Sequence, residues 1–152
     1  MITETLGNIQ ICSCGKQHEI PVKAIDIREG ALDRMAEVLS ELKISKEVLI
    51  VADTNTWKAA GSRALDVLIK GGFDVSSLVL EGDPSLRPDE EAVKKVSDFA
   101  GENQGLLVAV GSGTVNDLVR YAANIHNKQY VSVATAPSMD GYASVILSLI
   151  HI

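Results

Sequence analysis

An apolar run, Leu106 to Val110, stops at Gly111-Ser112-Gly113, and a helix-like pattern begins at once with Thr114, Val115, Asn116 and Asp117. Glycine has no Cβ, so the chain can turn tightly there and a ligand can come close to the backbone amides. A helix that opens at Thr114 offers unpaired N–H groups and a partial positive charge, which suit a phosphate or pyrophosphate. Thr114 adds a hydroxyl donor. The third glycine of the dinucleotide fingerprint is missing, since Gly-Ser-Gly-Thr-Val ends in Asn116, and no Gly-Lys-Ser/Thr follows to make a P-loop. A strand-to-helix turn without any ligand accounts for the same residues.

Two further loops carry polar groups beyond apolar runs. Asp53 follows Val48-Leu49-Ile50-Val51-Ala52, where a carboxylate can accept hydrogen bonds from a ribose diol and repel a 2′-phosphate, favouring NAD over NADP. The same residue can instead cap the helix that follows. In Thr135-Ala136-Pro137-Ser138-Met139-Asp140-Gly141 the proline fixes a bend, two hydroxyls stand ready, and Asp140 places a carboxylate beside them. These residues can form a turn, or hold the reacting end of a cofactor and a substrate hydroxyl.

The elements that would position these loops alternate along the chain. Leu32, Met35, Leu39 and Leu42 lie on one stripe of a helix within 25–44, and the apolar run 47–53 reads as a strand buried on both faces. Trp57, Ala60, Ala64 and Leu68 mark a helix capped near Thr54 and stopped by Gly71-Gly72. A strand over 75–80 leads to a helix begun by Pro88 and the acids 89–91, with Ala92, Val96 and Phe99 as its buried stripe and Gly101 as its end. The run from Asp89 to Lys95 reads as its solvated face. A strand over 105–111, a helix from Thr114 and a strand over 130–135 complete the series. Ahead of it, 8–13 and 17–22 read as a β-hairpin around Cys14-Gly15-Lys16. The alternation predicts an α/β fold, a doubly wound, Rossmann-like parallel sheet preceded by an N-terminal β-hairpin. Ligands of such sheets gather at the carboxyl ends of the strands, so the loops at Asp53, Gly111 and Thr135 should meet on one edge.

Composition narrows the class. The 152 residues carry a net charge of −6, which repels a nucleic-acid backbone, so no nucleic-acid partner is expected. No run is long and apolar enough for a membrane span, and no signal-peptide pattern opens the chain, so the expected location is cytoplasmic. Cys12, Cys14 and His18 supply three soft ligands at short spacing, but a structural zinc site takes four and no second cluster completes it. The hairpin reading is preferred.

Gly-Ser-Gly-Thr-Val-Asn-Asp over 111–117, followed by Ala-Thr-Ala-Pro-Ser-Met-Asp-Gly-Tyr-Ala-Ser over 134–144, closely resembles the sn-glycerol-1-phosphate dehydrogenase family. That family lies within the superfamily of metal-dependent glycerol dehydrogenases, iron-type alcohol dehydrogenases and 3-dehydroquinate synthases. The resemblance runs from about residue 47 to Ser144. It implies an N-terminal nucleotide-binding domain, a helical C-terminal domain and an active site between them. It also implies hydride transfer between NAD(P)H and dihydroxyacetone phosphate, a phosphorylated triose or polyol substrate, and a divalent metal, zinc or nickel. On this resemblance Asp53 would bind the adenosine ribose, and Gly111, Gly113, Thr114, Val115, Asn116 and Asp117 would cradle the pyrophosphate and the neighbouring ribose. Thr135, Ala136, Pro137 and Ser138 would line the nicotinamide side, Ser144 would contact the cofactor again, and Asp140 would contact substrate.

The family's metal ligands, one Asp and two His, belong to its helical domain, so neither metal ligands nor catalytic residues are assigned to this chain. Residues 1–144 are read as the NAD-binding α/β domain and 145–152 as an apolar tail beginning a second domain, the rest of which is absent. The chain is then the cofactor half of a dehydrogenase, inactive by itself and expected to associate with copies of itself through its uncovered apolar face. Within the superfamily the alternatives are a 3-dehydroquinate synthase-like enzyme or a glycerol dehydrogenase. Outside catalysis, the alternative is a nucleotide-binding or oligomerisation module.

Overall fold

Continuous runs of Val, Leu, Ile and Ala can be buried only where helices cover both faces of a sheet, and that is how they are used. A computed structural model describes residues 10–11, 13–15, 17–18, 22–82, 86–102 and 105–138. The chain divides into two units, Met1–Ala31 and Leu32–Ile152. In the first, β1 (Gln10–Ile11) pairs antiparallel with β2 (Gln17–His18), within the hairpin expected over 8–13 and 17–22, the rest of which lies largely outside the described residues. Gly15 in its turn has φ +75, a left-handed conformation that suits glycine. Cys14 is exposed, and Cys12 lies outside the described residues.

The second unit contains a parallel sheet of β3 (Glu47–Asp53), β4 (Asp74–Leu80), β5 (Leu106–Gly111) and β6 (Tyr130–Ala134), in the order β4-β3-β5-β6. Leu49 and Val51 of β3 join Leu107 and Ala109 of β5 in one core cluster, with Val96, Ala100, Val115 and Leu118 from two helices. These helices are α4 (Glu90–Glu102) and α5 (Gly113–Ile125). The alternate residues Val48, Ile50 and Ala52 pack with Leu106, Val108 and Val110 in a second cluster. That cluster contains Met35 and Leu39 of α1 (Met35–Glu41) and Ala64 and Leu68 of α3 (Ser62–Lys70). The two-residue period of the strands thus feeds two separate cores, the doubly wound arrangement that the alternation predicted.

Local departures have local causes. A 3-10 turn, Ala31–Arg34, precedes α1. The helix expected after β3 comes in three stretches: α2 (Thr54–Thr56), a π-helical turn over Trp57–Gly61, and α3. Phe99 was expected in the buried stripe of α4 but is 42% exposed, whereas Ala100 is fully buried. The stripe is Ala92, Val96 and Ala100, a spacing of four that keeps to one side of the helix. Gly101 does not end α4, which continues to Glu102. A Cβ at Gly101 would instead lie 3.1 Å from Cε1 of His126. His126 Nε2 is 3.0 Å from Ser97 Oγ, and Lys128 Nζ donates to the Ala100 carbonyl at 2.6 Å. The C-terminal ends of α4 and α5 are therefore joined by polar contacts. None of the described helices is long and apolar enough to cross a membrane.

Gly105 leads into β5, where a Cβ would lie 1.8 Å from the Glu47 carbonyl oxygen. No side-chain rotation can relieve a clash between Cβ and backbone. Gly105→Ala is expected to destabilise the fold by about 3 kcal/mol or more, read as a lower urea midpoint at unchanged slope.

Candidate functional site at the carboxyl edge of the sheet

The chain leaves β3 toward β4 on one side and returns to β5 on the other. The strand order therefore reverses between β3 and β5, and in open parallel sheets the crevice at the carboxyl ends of such a pair is where ligands bind. Parallel pairing places Ala52 beside Val110, so Asp53 and Gly111 end neighbouring strands at the same level. Ala134 of β6 is registered with Gly111, and Thr135 N donates to the Gly111 carbonyl at 3.1 Å. Asp53, the glycine loop and the start of the Thr135 loop thus share one rim, as the strand-end argument predicted.

Asp53 is 8% exposed. Its Oδ1 accepts from the amides of Asn55 and Thr56, both at 2.8 Å, while its own amide donates to Thr56 Oγ1 at 3.0 Å. This is a reciprocal capping box, so the helix-cap reading of Asp53 holds. Both of these amide hydrogen bonds fall on Oδ1.

A fourth loop, which sequence reasoning missed, joins this rim. Asn55 Nδ2 donates to the Gly82 carbonyl at 3.0 Å, and the Gly82 amide donates to Thr54 Oγ1 at 3.2 Å. A Cβ on Gly82 would lie 3.2 Å from that of Asp53. The segment after β4 is thereby fastened to the segment after β3. The available sequence signal was Glu81-Gly82, a glycine directly after a strand.

At the central loop, Ser112 is the N-cap of α5, with extended backbone and no side-chain cap hydrogen bond. The amides of Gly113, Thr114 and Val115 therefore face the helix entrance without that partner. Neither Gly111 nor Gly113 is in the left-handed region. Gly111 is needed for space, since a Cβ there would come within 2.6 Å of Val115 Cβ. Val115 is fully buried in the core, so only its backbone can serve a ligand.

Asn116 is also fully buried, and among the described residues neither its Oδ1 nor its Nδ2 has a hydrogen-bond partner; Ser132 Oγ on β6 is likewise unpartnered among them. Unsatisfied buried amides are costly, so the vicinity of Asn116 is equipped for a polar guest. Asp117 is 2% exposed, and its Oδ1 is 3.3 Å from Arg120 Nη2. Tyr130 is linked to this pair: burial pushes its phenol up, opposed by the charge and hydrogen bond of Arg120 and assisted by the charge of Asp117.

Thr135 and Ala136 are half-buried, and Pro137 and Ser138 are exposed. Asp140 and Ser144 lie outside the described residues. Among the described residues no group of three or more His, Cys, Asp or Glu side chains could hold a metal ion.

This arrangement has known relatives. A family model described as iron-containing alcohol dehydrogenase matches residues 26–151. A glycerol-1-phosphate dehydrogenase (NAD(P)+) of Halalkalibacterium halodurans is 34% identical over 137 residues, covering 88% of this chain and 34% of the relative. One of the same name from Geobacillus stearothermophilus is 28% identical over 152 residues, covering 98% and 37%. The chain thus spans about a third of the length of these curated relatives. Among solved structures, glycerol dehydrogenase from Schizosaccharomyces pombe aligns with a TM-score of 0.63 at 22% identity, over 72% of this chain and 27% of that one, a likeness of fold. With the family model covering most of its residues, the chain belongs to the iron-containing alcohol dehydrogenases.

Proposed function

We propose that this chain is the coenzyme-binding part of an NAD(P)-dependent glycerol-1-phosphate dehydrogenase, which transfers hydride between NAD(P)H and dihydroxyacetone phosphate. The observation that carries this reading is the shared rim of Asp53, the uncapped start of α5 and Thr135 at the sheet's topological switch point. The names of the curated relatives supply the substrate class.

In this reading the amides of Gly113, Thr114 and Val115 donate to the coenzyme diphosphate, which the α5 dipole also favours. Gly111 lets α5 start close against the end of β5, because a Cβ there would come within 2.6 Å of Val115 Cβ. The unpartnered amide of Asn116 takes a polar group of the ligand or a water that accompanies it. Asp53 keeps its helix cap through Oδ1 and accepts from the adenosine ribose hydroxyls through its other oxygen. Thr135, Ala136, Pro137 and Ser138 flank the nicotinamide, with Ser144 adding a further cofactor contact and Asp140 reaching the substrate. A bound nicotinamide coenzyme supplies or accepts the hydride, and the chain's own residues orient it.

Residues 1–144 constitute this coenzyme domain and 145–152 begin the next. The divalent metal of the parent enzyme, zinc or nickel, would be held by one Asp and two His of the helical domain that the resemblance implies. The parent enzyme acts in the cytoplasm as a homo-oligomer.

Trp57 is the only tryptophan and stands one helical turn beyond Asp53. Titration with NADH is expected to give energy transfer from Trp57 to the reduced nicotinamide and a rise in melting temperature. Absence of both signals in the folded chain would reject the coenzyme reading. Asp53→Gly tests the ribose contact cleanly, because glycine retains most of a helix cap's stability whereas alanine does not. It is expected to raise the NADP-to-NAD affinity ratio roughly tenfold, equivalent to about 1.4 kcal/mol. An unchanged ratio would leave Asp53 as a cap alone.

A further inference from the structure

Strand order also directs the far end of a dinucleotide. Along the rim the carboxyl ends run β4, β3, β5, so the start of α5 lies on one side of Asp53 and the end of β4 on the other. Leu80 is registered with Asp53, and the chain continues past it to Gly82. A diphosphate at α5 and a ribose at Asp53 therefore send the base onward, toward Gly82.

Gly82 is buried, and both polar groups of its backbone are held from the β3 side. Its amide donates to Thr54 Oγ1 at 3.2 Å, and its carbonyl accepts from Asn55 Nδ2 at 3.0 Å. The missing Cβ permits this approach, since one would lie 3.2 Å from Asp53 Cβ and 3.2 Å from the Leu86 nitrogen. The Asp53 cap is made with other groups, the amides of Asn55 and Thr56 and the Thr56 hydroxyl. The latch on Gly82 can thus be cut with the cap left whole.

We propose that Thr54 and Asn55 are positioning residues, which by latching the Gly82 backbone fix the segment after β4 as the wall for the adenosine end of the coenzyme. The proposal rests on the coenzyme reading given above. Neither side chain has to touch the ligand. A wall fixed beforehand spares the ordering of that segment when the ligand arrives, and the saving appears as affinity.

The test uses the full 152-residue chain and two probes. ADP-ribose carries the adenosine end, whereas inorganic pyrophosphate carries the diphosphate alone. Thr54→Val removes the hydroxyl at nearly constant volume, and Asn55→Ala removes the carboxamide. Each variant should weaken ADP-ribose about fivefold and leave pyrophosphate within about twofold of wild type. Thr54→Ser should keep wild-type affinity for both. Hydrogen exchange at the Gly82 amide should quicken in Thr54→Val and stay slow in Thr54→Ser. A merely structural latch would lower the two affinities together. Asn55 is exposed, so Asn55→Ala carries the same comparison if Thr54→Val does not fold.

Equal losses for the two probes, wild-type ADP-ribose affinity in both Thr54→Val and Asn55→Ala, or unchanged Gly82 exchange in Thr54→Val would each overturn the proposal. The two readings fail in distinguishable ways. ADP-ribose binding by wild type that is indifferent to these variants rejects the wall alone. No ADP-ribose binding by wild type rejects the coenzyme reading, and the wall with it.

Discussion

Parallel pairing on both sides of β3 is the constraint from which the rest follows. A strand hydrogen-bonded to two parallel neighbours has no edge, and its side chains enter two cores in alternation. To supply both neighbours the chain must leave β3, add β4, and cross back to add β5 on the other side. The helices that make these crossings cover opposite faces, and the carboxyl ends of β3 and β5 are left side by side with their loops diverging. Asp53 and Gly111 are neighbours for this reason, although 57 positions separate them in the numbering. The crevice is a product of strand order, and the polar residues only furnish it.

That furnishing is economical in its use of groups. The Asp53 cap consumes one carboxylate oxygen and fixes the direction of the other. The Asn55–Gly82 and Gly82–Thr54 contacts add a second loop to the same support. On α5, Val115 and Leu118 secure the helix in the core, while Asn116 and Asp117, on the same turn, carry buried polar groups. A helix start anchored in this way loses little freedom when a ligand arrives, which is how preorganisation favours binding.

Much of this could be read in the residues. The run Glu47–Asp53 was expected as a doubly buried strand and has those bounds. The strand-end loops were expected on one edge and are found there. What could not be read depends on distant partners. Strand order arises from pairing, which local periodicity does not encode, so the switch point emerged only in three dimensions. Phe99 looked like core because it is large and apolar, yet packing against α5 selected the smaller Ala100 one position on. The π-helical turn at Trp57–Gly61 reflects an indole lying against a glycine: a Cβ on Gly61 would meet Trp57 Cε3 at 2.6 Å. The i,i+3 spacing of Asp117 and Arg120 was visible, but the burial that gives it electrostatic weight and the approach of Tyr130 were not.

The polar seam at the feet of α4 and α5, where Lys128 holds the Ala100 carbonyl and His126 meets Ser97, lies at the end of the sheet opposite the crevice. It ties the two helices together at the edge of the sheet away from the candidate site. The molecule can thus be tuned at its two ends independently: changes at the feet alter how firmly the layer is clamped, and changes at the crown alter what it admits.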